Sequence, residues 1–332
     1  MVSLDYNYDN RTLYGIKSDV VRYVWSGYFL LVFISSIVGD TFILIASIKY
    51  RAIRLHKVLI AIIRHIAVCD LMISVIVLLP RSISLVADKW VFGSFLCALS
   101  HRARYYLTVT SMLLICAMTS TKLLLLKYPL RSATVTLRAA HLVYGACWFV
   151  PLTIPVMILL EDSVFEGVYF SYRGYTCDYD FSLKIWRWLG PLTTVTFAFI
   201  PNCLVVITGI YLLIMAKGIA RLGRENLKWQ GIMATVLTAI IYCISVMPFT
   251  VYNIIAESKG TAHDNGGMFF HHHVYRLAVS FLYLNTMSNF YIYTLTLTSF
   301  RDFIRARMQP FFFTDTRTST NIGKAINERG LL

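Results

Sequence analysis

Polar side chains recur every three or four residues along one apolar stretch of the sequence. At 100° per residue, one helical face would carry Cys97, His101, Arg104, Thr108, Ser111, Ile115, Thr119 and Lys122. Arg104 has the most distinctive chemistry, because a guanidinium group forms paired hydrogen bonds with carboxylates and phosphates. We predict that Arg104, with His101, Tyr105 and Thr108, binds an acidic group. The alternative is an internal salt bridge from Arg104 to Asp178 or Asp180.

The elements that position this face are predicted to be membrane-spanning helices. Of the 332 residues, 57% are apolar and only 14% are charged, whereas soluble domains have about 25% charged residues. A spanning helix needs about 20 mostly apolar residues. Seven segments meet this need, and the sequence therefore predicts an all-α membrane protein with a seven-helix bundle. The predicted spans are 24–48, 58–80, 95–126, 139–160, 186–216, 229–256 and 274–298.

The charges of the connecting segments predict the orientation of the bundle. Segments on the side of the N-terminus carry 10 Lys/Arg, counted with Arg187 and Arg276 just inside the ends of their spans, and 11 Asp/Glu. Segments on the other side carry 17 Lys/Arg and 4 Asp/Glu. Because basic loops stay in the cytoplasm, we expect the N-terminus outside. The basic excess beside apolar spans indicates contact with membrane lipid and excludes nucleic acid as a partner. The sequon at Asn10 would then face outward, where glycosylation is expected.

Four regions follow from this topology. We expect an extracellular N-terminus at 1–23, the bundle at 24–298, an amphipathic helix at 299–310 and a cytoplasmic tail at 311–332. Residues 1–23 lack the apolar core of a signal peptide, so the first span is expected to direct insertion. In the amphipathic helix, Phe300, Phe303 and Ile304 share a face that would lie on the inner membrane surface.

Two of the seven cysteines are predicted to lie on the oxidising outer side. Cys97 begins the third span, and Cys177 lies in the long second outer loop. A disulfide between them would hold that loop over the bundle. The alternating aromatic residues around Arg173-Gly174 in the same loop predict a β-hairpin.

These features resemble the rhodopsin-like (class A) G-protein-coupled receptors over about residues 24 to 310. Gly39-Asp40 is similar to the family's Gly-Asn in span one, and "IAVCDLM" resembles its Leu-Ala-x-x-Asp, with Asp70 as the acid. "KWVFGSFLC" resembles its Trp-x-Phe-Gly-x-x-x-Cys. The remaining matches are the family's tryptophan and prolines in spans four to six and its Asn-x-x-x-Asn-Pro-x-x-Tyr, at Trp148, Pro201, Pro248, Asn285, Asn289 and Tyr293.

Three switch positions depart from the family pattern. The family's Asp-Arg-Tyr reads Thr121-Lys122-Leu123, Val246 replaces the tryptophan before Pro248, and Phe290 replaces the proline after Asn289. Lys122 keeps the positive charge of the arginine but lacks its planar fork. Lys228, at the foot of span six, could only repel Lys122.

The resemblance implies a receptor, not an enzyme, that passes a ligand signal to a heterotrimeric G protein through Lys122, Lys228 and Tyr293. The expected ligand is an acidic small molecule or a peptide, and Arg104 lies at the depth where amine receptors of the family have an aspartate. The resemblance also implies a sodium site at Asp70, Ser111, Asn285 and Asn289. A hydrogen-bonded core without an ion is the alternative there. No other cofactor is expected, and retinal is excluded because span seven has no lysine.

Several alternatives remain open at this stage. The altered switch motifs suit a decoy, non-signalling or arrestin-biased receptor, while Asp40, Asp70 and Arg104 could instead form the ion path of a transporter or channel. Internal repeats, a common mark of transporters, are absent from the sequence. The run His271-His272-His273 points three ways on a helix, which disfavours a joint zinc site. The Ser/Thr-rich tail is a target for receptor kinases and arrestin, or simply disordered.

Overall fold

Eight helices and one β-hairpin make up the computed structural model, which describes residues 16, 18–49, 57–128, 137–153, 168–171, 175–179, 192, 195–220, 227–259 and 268–312. The helices are α1 (Asp19–Lys49), α2 (Lys57–Ala87), α3 (Gly93–Lys127), α4 (Leu137–Phe149, continued by a 3₁₀ turn at Val150–Leu152), α5 (Ile200–Ala220), α6 (Leu227–Lys259), α7 (Met268–Thr296) and α8 (Thr298–Phe312). The strands are β1 (Val168–Ser171) and β2 (Thr176–Tyr179).

The seven helices α1 to α7 form the predicted bundle. α3 is central, since it contacts α2, α4, α5 and α6, and α7 packs on α1, α2 and α6. Among the described residues, five helical stretches are long and apolar enough to cross a membrane, namely Asp19–Ile48, Lys57–Ala87, Gly93–Lys127, Val195–Gly218 and Trp229–Tyr252. The described part of α4 is shorter, and α7 is long but richer in polar residues. α8 follows α7 where the sequence predicted an amphipathic helix.

Two prolines explain local breaks in the helices. A π turn at Ser74–Leu78 precedes Pro80 in α2, and another at Val195–Phe199 precedes Pro201 in α5. Proline lacks an N–H and crowds the carbonyl one turn earlier, so the backbone widens before it. The Leu79 N–H accordingly donates to the Ser74 carbonyl, five residues back. α6 contains Pro248 and remains a single helix over the described residues.

The predicted disulfide and hairpin are both confirmed. Cys97 at the start of α3 is bonded to Cys177 in β2, with their Cα atoms 5.4 Å apart. β1 and β2 pair antiparallel, with Phe170 opposite Cys177 and Ser171 opposite Thr176. We call the end of the bundle that carries the Cys97–Cys177 bond the disulfide end. We call the end that carries Lys122 the opposite end.

The core is continuous through most of the bundle. The main apolar cluster runs from Phe170 and Tyr175 in the hairpin through Leu107 and Ile115 of α3 to Tyr144 of α4. A second cluster, at the opposite end, joins α1, α2, α6 and α7 to α8. It consists of Ile43, Ala46, Ala67, Ala234, Ile292, Tyr293, Leu297, Phe300 and Phe303. Phe300 and Phe303 thus anchor the apolar face of α8.

Some predicted features lie outside the described residues. These are the sequon at Asn10, Asp180 and the tail beyond Phe312. The backbones of Lys228, Asp178 and the run His271 to His273 are described but their side chains are not. The predictions for these residues stay predictions.

Candidate functional site

The inward face of α3 is placed as the helical periodicity predicted. Cys97, His101, Arg104, Ser111, Ile115, Thr119 and Lys122 are all buried, and Thr108 alone is partly exposed. Arg102, which periodicity placed off this face, is also partly exposed. The column of polar groups therefore runs inside the bundle from the disulfide end to the opposite end.

At the disulfide end, two side chains of α3 contact the hairpin. His101 Nδ1 lies 3.0 Å from the Cys177 carbonyl oxygen, which requires the tautomer with a proton on Nδ1. Arg104 Nη2 donates to the same carbonyl at 3.5 Å, and Nη1 donates to the Thr176 hydroxyl at 3.3 Å. The side chains of α3 thus contact the backbone that the disulfide holds in place.

Tyr105 completes this cluster. The Arg104 guanidinium lies 5.1 Å from the centroid of the Tyr105 ring, within cation–π range, and the His101 and Tyr105 rings are 5.2 Å apart edge to face. His101, Arg104 and Tyr105 therefore lie together, and that they bind an acidic group with Thr108 stays a prediction. Thr108 lies one turn further along α3. The contacts of Arg104 described above are with neutral oxygens and a ring, and the alternative partners Asp178 and Asp180 fall outside the described side chains.

A second anchor of the hairpin was not predicted from the sequence. The buried Tyr175 hydroxyl donates to Asp88 Oδ1 at 2.9 Å and accepts from the Ile16 N–H at 3.2 Å. Asp88 Oδ2 also lies 3.1 Å from Arg22 Nη1. Burial raises the pKa of Tyr175 to about 12, so the hydroxyl stays protonated as a donor. These contacts link the hairpin to the ends of α1 and α2.

In the middle of the bundle, Asp70 is fully buried and accepts a hydrogen bond from Asn289 Nδ2 at 2.8 Å. Four buried oxygens of the predicted sodium set have no hydrogen-bond partner among the described residues. They are Asp70 Oδ1, Ser111 Oγ, Asn285 Oδ1 and Asn289 Oδ1. Oxygen ligands of this type suit a hard cation, and an unpartnered buried oxygen is costly. The residues therefore fit a sodium ion.

A second carboxylate lies close to this set. Asp40 is 1% exposed, accepts from the Ser36 hydroxyl at 2.7 Å, and has a second oxygen, Oδ1, without a partner among the described atoms. Ser74 Oγ lies 2.8 Å from both Ser36 Oγ and the Asp70 carbonyl, so its single proton serves one of them at a time. Within the described ranges, no three His, Cys, Asp or Glu side chains form a metal cluster. A cation in the bundle core would therefore need the neutral oxygens of Ser111, Asn285 and Asn289 in addition to the carboxylate of Asp70.

At the opposite end, Lys122 packs against α6. It is 8% exposed, and a Cβ on Gly231 of α6 would lie only 2.7 Å from Lys122 Nζ. Over the part of the chain that the structure describes, no carboxylate lies within 4 Å of Nζ. Tyr293 is buried in the cluster that anchors α8, and the Thr298 N–H donates to Gln230 Oε1 at 3.2 Å. The start of α8 is thereby tied to α6.

Two arginines at the disulfide end were counted as outer charges but proved to be interior. Arg81 in α2 is 3% exposed and Arg276 in α7 is 8% exposed, and both line a cavity between α1, α2 and α7. In the sequence, Arg81 directly follows the predicted span 58–80 and Arg276 is the third residue of the predicted span 274–298. Such positions at the end of a span fit a buried arginine and a surface arginine equally well.

Comparison with known proteins identifies related receptors. The 5-hydroxytryptamine receptor 4 of Cavia porcellus is 28% identical over 169 residues, which are 48% of this chain and 41% of that receptor. The octopamine receptor beta-2R of Chilo suppressalis is 26% identical over 38% of this chain and 31% of that receptor. The somatostatin receptor type 5 of Rattus norvegicus is 25% identical over 83% of this chain and 75% of that receptor.

The match to the first relative spans less than half of its length, so these similarities are distant. Residues 39–293 match the family described as 7 transmembrane receptor (rhodopsin family). That range runs from within α1 to within α7 and includes the disulfide, and it confirms the predicted receptor class, which is not a class of enzymes. The chain is a multi-pass membrane protein of the rhodopsin family of seven-transmembrane receptors.

Proposed function

We propose that the chain is a G-protein-coupled receptor of the plasma membrane that binds its ligand at the disulfide end and a heterotrimeric G protein at the opposite end. The observation that carries this proposal is the polar face of α3. It contacts the hairpin through His101 and Arg104 and contacts α6 through Lys122. A ligand can shift such a bundle only if it binds one arrangement more tightly than another. One rigid helix joins both contacts, so a displacement at one end reaches the other.

In the proposed orientation, the N-terminus lies outside the cell. It follows from the distribution of basic residues and puts the Cys97–Cys177 disulfide in an oxidising environment. Asn10 would then be glycosylated. The basic opposite end would face the cytoplasm, the anionic lipids of the inner leaflet, and the kinases and arrestin that act on the tail.

The ligand class follows from Arg104. Two of the similar receptors are named for the amines 5-hydroxytryptamine and octopamine. A buried guanidinium at this depth of α3 would repel an amine and attract a carboxylate or phosphate. An acidic small molecule is therefore the leading ligand. A peptide is the main competitor, because a similarity that covers 83% of the chain is to a somatostatin receptor.

The test is nucleotide exchange on a panel of G proteins in cells that express the chain, screened first with organic acids and then with peptides. With an acidic agonist in hand, Arg104→Ala should lower potency by about tenfold or more, because a paired charge-assisted hydrogen bond is lost. Arg102→Ala is the matched control, since Arg102 lies two residues away and off the inward face. Unchanged potency of every acidic agonist on Arg104→Ala would disprove the assignment.

Sodium is the proposed ion of the bundle core. Asp70 would supply the charge, and the unpartnered oxygens of Ser111, Asn285 and Asn289 would complete its oxygen ligands. Bound there, the ion would hold α2, α3 and α7 in one arrangement. Sodium should consequently lower agonist affinity, and equal affinity in sodium and potassium buffers would count against the site.

A second candidate function is a decoy or arrestin-biased receptor. Two observations favour it. Lys122 has no carboxylate partner among the described side chains, and Phe290 replaces the family's proline in span seven. Parallel measurement of nucleotide exchange and arrestin recruitment separates the two functions. Arrestin recruitment by an agonist that activates no G protein in the panel would favour the second.

A further inference from the structure

The first turn of α8 is capped by a side chain of another helix. The first N–H groups of a helix lack partners within that helix, and Leu297, which precedes α8, has an apolar side chain that cannot accept from them. Gln230 of α6 supplies the acceptor. Its Oε1 accepts from the Thr298 N–H at 3.2 Å and from the Thr298 hydroxyl at 3.1 Å. The start of α8 therefore depends on a residue 68 positions earlier in the chain.

Burial makes this contact costly to break. Gln230 is 6% exposed, and Thr298 is partly buried. Ala234, one turn further along α6, and Phe300 of α8 belong to the same apolar cluster. An amide that leaves a place of this kind separates polar groups that have little access to water, and an unpaired polar group in such surroundings is unfavourable.

The same turn of α6 closes the space between α3 and α6. Gly231 follows Gln230 in the sequence, and a Cβ on Gly231 would lie only 2.7 Å from Lys122 Nζ. A segment of a partner protein does not fit between helices that approach so closely. A G protein that binds at this end, as proposed above, therefore requires α6 to move away from α3. Gln230 must move as well, because it lies in the same turn as Gly231.

α8 is fixed to α7 and not to α6. The Phe300 ring of α8 lies 6.1 Å from the Phe290 ring of α7, and the Leu297 N–H donates to the Tyr293 carbonyl at 2.9 Å. Movement of α6 would consequently leave α8 behind and break both hydrogen bonds between Gln230 and Thr298.

We infer that Gln230 holds α6 against α8 and thereby keeps the opposite end of the bundle closed, an inference that rests on the proposed function for the entry of a G protein. Lys122 has no carboxylate within 4 Å among the described side chains, so an ion pair there does not hold α6. The amide of Gln230 holds it instead, through the cap of α8. The first turn of α8 should therefore loosen whenever α6 moves outward.

The test is hydrogen–deuterium exchange of the purified full-length chain in detergent micelles, measured over the first turn of α8 and the first two turns of α6. Gln230→Leu removes the acceptor and keeps the approximate size of the side chain. It should speed exchange in α8 by about fivefold, the effect expected for the loss of a helix cap, and should also speed exchange in α6. Gln230→Glu retains an acceptor and puts a negative charge at a helix N-terminus, so exchange should be no faster than in the wild-type chain.

Basal nucleotide exchange provides the second measurement. At matched surface expression, Gln230→Leu should raise it to about twice the wild-type value or more, whereas Gln230→Glu should not raise it. Thr235→Val is the matched control, because the Thr235 hydroxyl donates to the Gly231 carbonyl and the hydrogen bond that the change removes lies within α6. Neither measurement should change in that variant.

A milder variant covers the case in which Gln230→Leu does not fold. Thr298→Val removes the hydroxyl donor alone and should change both measurements in the same direction by a smaller amount. Hydrogen exchange needs no G protein, so it tests the contact even in a chain that couples to none. The inference is overturned if Gln230→Leu exchanges at the wild-type rate in α8 or in α6, or if Gln230→Glu behaves as Gln230→Leu. It is also overturned if the wild-type chain couples to a G protein and Gln230→Leu keeps the wild-type basal activity.

Discussion

Phe290 of α7 packs directly on Gly39 of α1, so that a Cβ on Gly39 would lie 2.6 Å from Phe290 Cβ and 2.9 Å from its Cγ. The Phe290 ring also lies near Phe42 of α1 and Phe300 of α8, with centroids 6.3 Å and 6.1 Å away. The residue that replaces the family's proline is thus a packing centre for three helices. Gly39 provides the space that this ring and its Cβ need.

Gly39→Ala should destabilise the bundle. A contact of 2.6 Å forces α1 and α7 apart, and overpacking of this kind costs about 1–3 kcal/mol. The better helix propensity of alanine offsets at most about 1 kcal/mol of that cost. The melting temperature of the detergent-solubilised receptor should therefore fall.

Gly145→Ala in α4 is the matched control, because nothing lies within 4 Å of a Cβ at Gly145. Its melting temperature should stay the same or rise slightly. A double-mutant cycle with Phe290→Ala should show that part of the cost of Gly39→Ala depends on the ring, because the 2.9 Å contact with Cγ is lost while the 2.6 Å contact with Cβ remains. Equal changes in melting temperature for Gly39→Ala and Gly145→Ala would contradict the close packing of Gly39 and Phe290.

We predict that Lys122 raises the basal activity of the receptor in the absence of ligand. Lys122 is a buried ammonium group with no carboxylate within 4 Å among the described side chains. It therefore stabilises the resting contact between α3 and α6 poorly, since burying an unpaired charge is unfavourable. We expect basal nucleotide exchange about twofold or more above that of mock-transfected cells at matched surface expression. Lys122→Ala should bring it down toward the mock value, because the positive charge that would reach the G protein is lost.

Lys127→Ala serves as the control for Lys122, since Lys127 is exposed at the same end of α3. It should leave basal exchange unchanged. Basal exchange by the wild-type receptor that equals the mock value would indicate a silent receptor and favour the decoy function.

The sequence predicted the features that depend on local patterns. Hydropathy located the helices, and the 100° repeat from Cys97 placed Arg104, Ser111 and Lys122 on the buried face of α3. The hairpin followed from alternating aromatic residues around a glycine. Each of these signals lies within one continuous segment, where helix or strand geometry alone relates sequence position to direction in space.

Contacts between distant segments could not be predicted in the same way. Tyr175 meets Asp88 across 87 positions of the chain, and Gly39 meets Phe290 only because α7 returns beside α1. Such pairs depend on how each helix is rotated and shifted along its neighbour. Arg81 is a further example, because its position at the end of a predicted span fits a surface arginine and a buried one equally well, whereas tertiary packing encloses it between aromatic rings.

Loss of the disulfide should destabilise both the fold and the Arg104 cluster. The Cys97–Cys177 bond joins residues 80 positions apart, and removal of such a bond costs about 2–5 kcal/mol. Because His101 and Arg104 both contact the Cys177 carbonyl, the double variant Cys97→Ser with Cys177→Ser should also weaken binding of an acidic agonist. Thermal unfolding and ligand titration measure the two effects.

Cys203→Ser is the control for the disulfide, because Cys203 is a free, partly exposed cysteine of α5. It should change neither the melting temperature nor the affinity. A double disulfide variant that unfolds at the wild-type temperature would show that the hairpin is held by Tyr175 and Asp88 without the covalent bond.

Sodium should stabilise the receptor, and the two core acids should respond differently when neutralised. At a sodium concentration ten times the dissociation constant, binding to the folded state alone adds about 1.4 kcal/mol, so melting should occur at a higher temperature in sodium chloride than in potassium chloride of equal ionic strength. Asp70→Asn should abolish the difference in melting temperature between the two salts, because Asp70 is the charged residue among the four whose buried oxygens have no partner in the described structure.

Asp40→Asn should keep the sodium response and raise the melting temperature in potassium chloride. Asp40 and Asp70 are close enough to repel each other when both are charged, and the amide retains an oxygen that can accept the Ser36 hydrogen bond. Sodium relieves part of the same repulsion, so the gain from Asp40→Asn should be smaller in sodium chloride. If Asp40→Asn abolished the sodium response while Asp70→Asn preserved it, the ion would have to be assigned to Asp40 in α1.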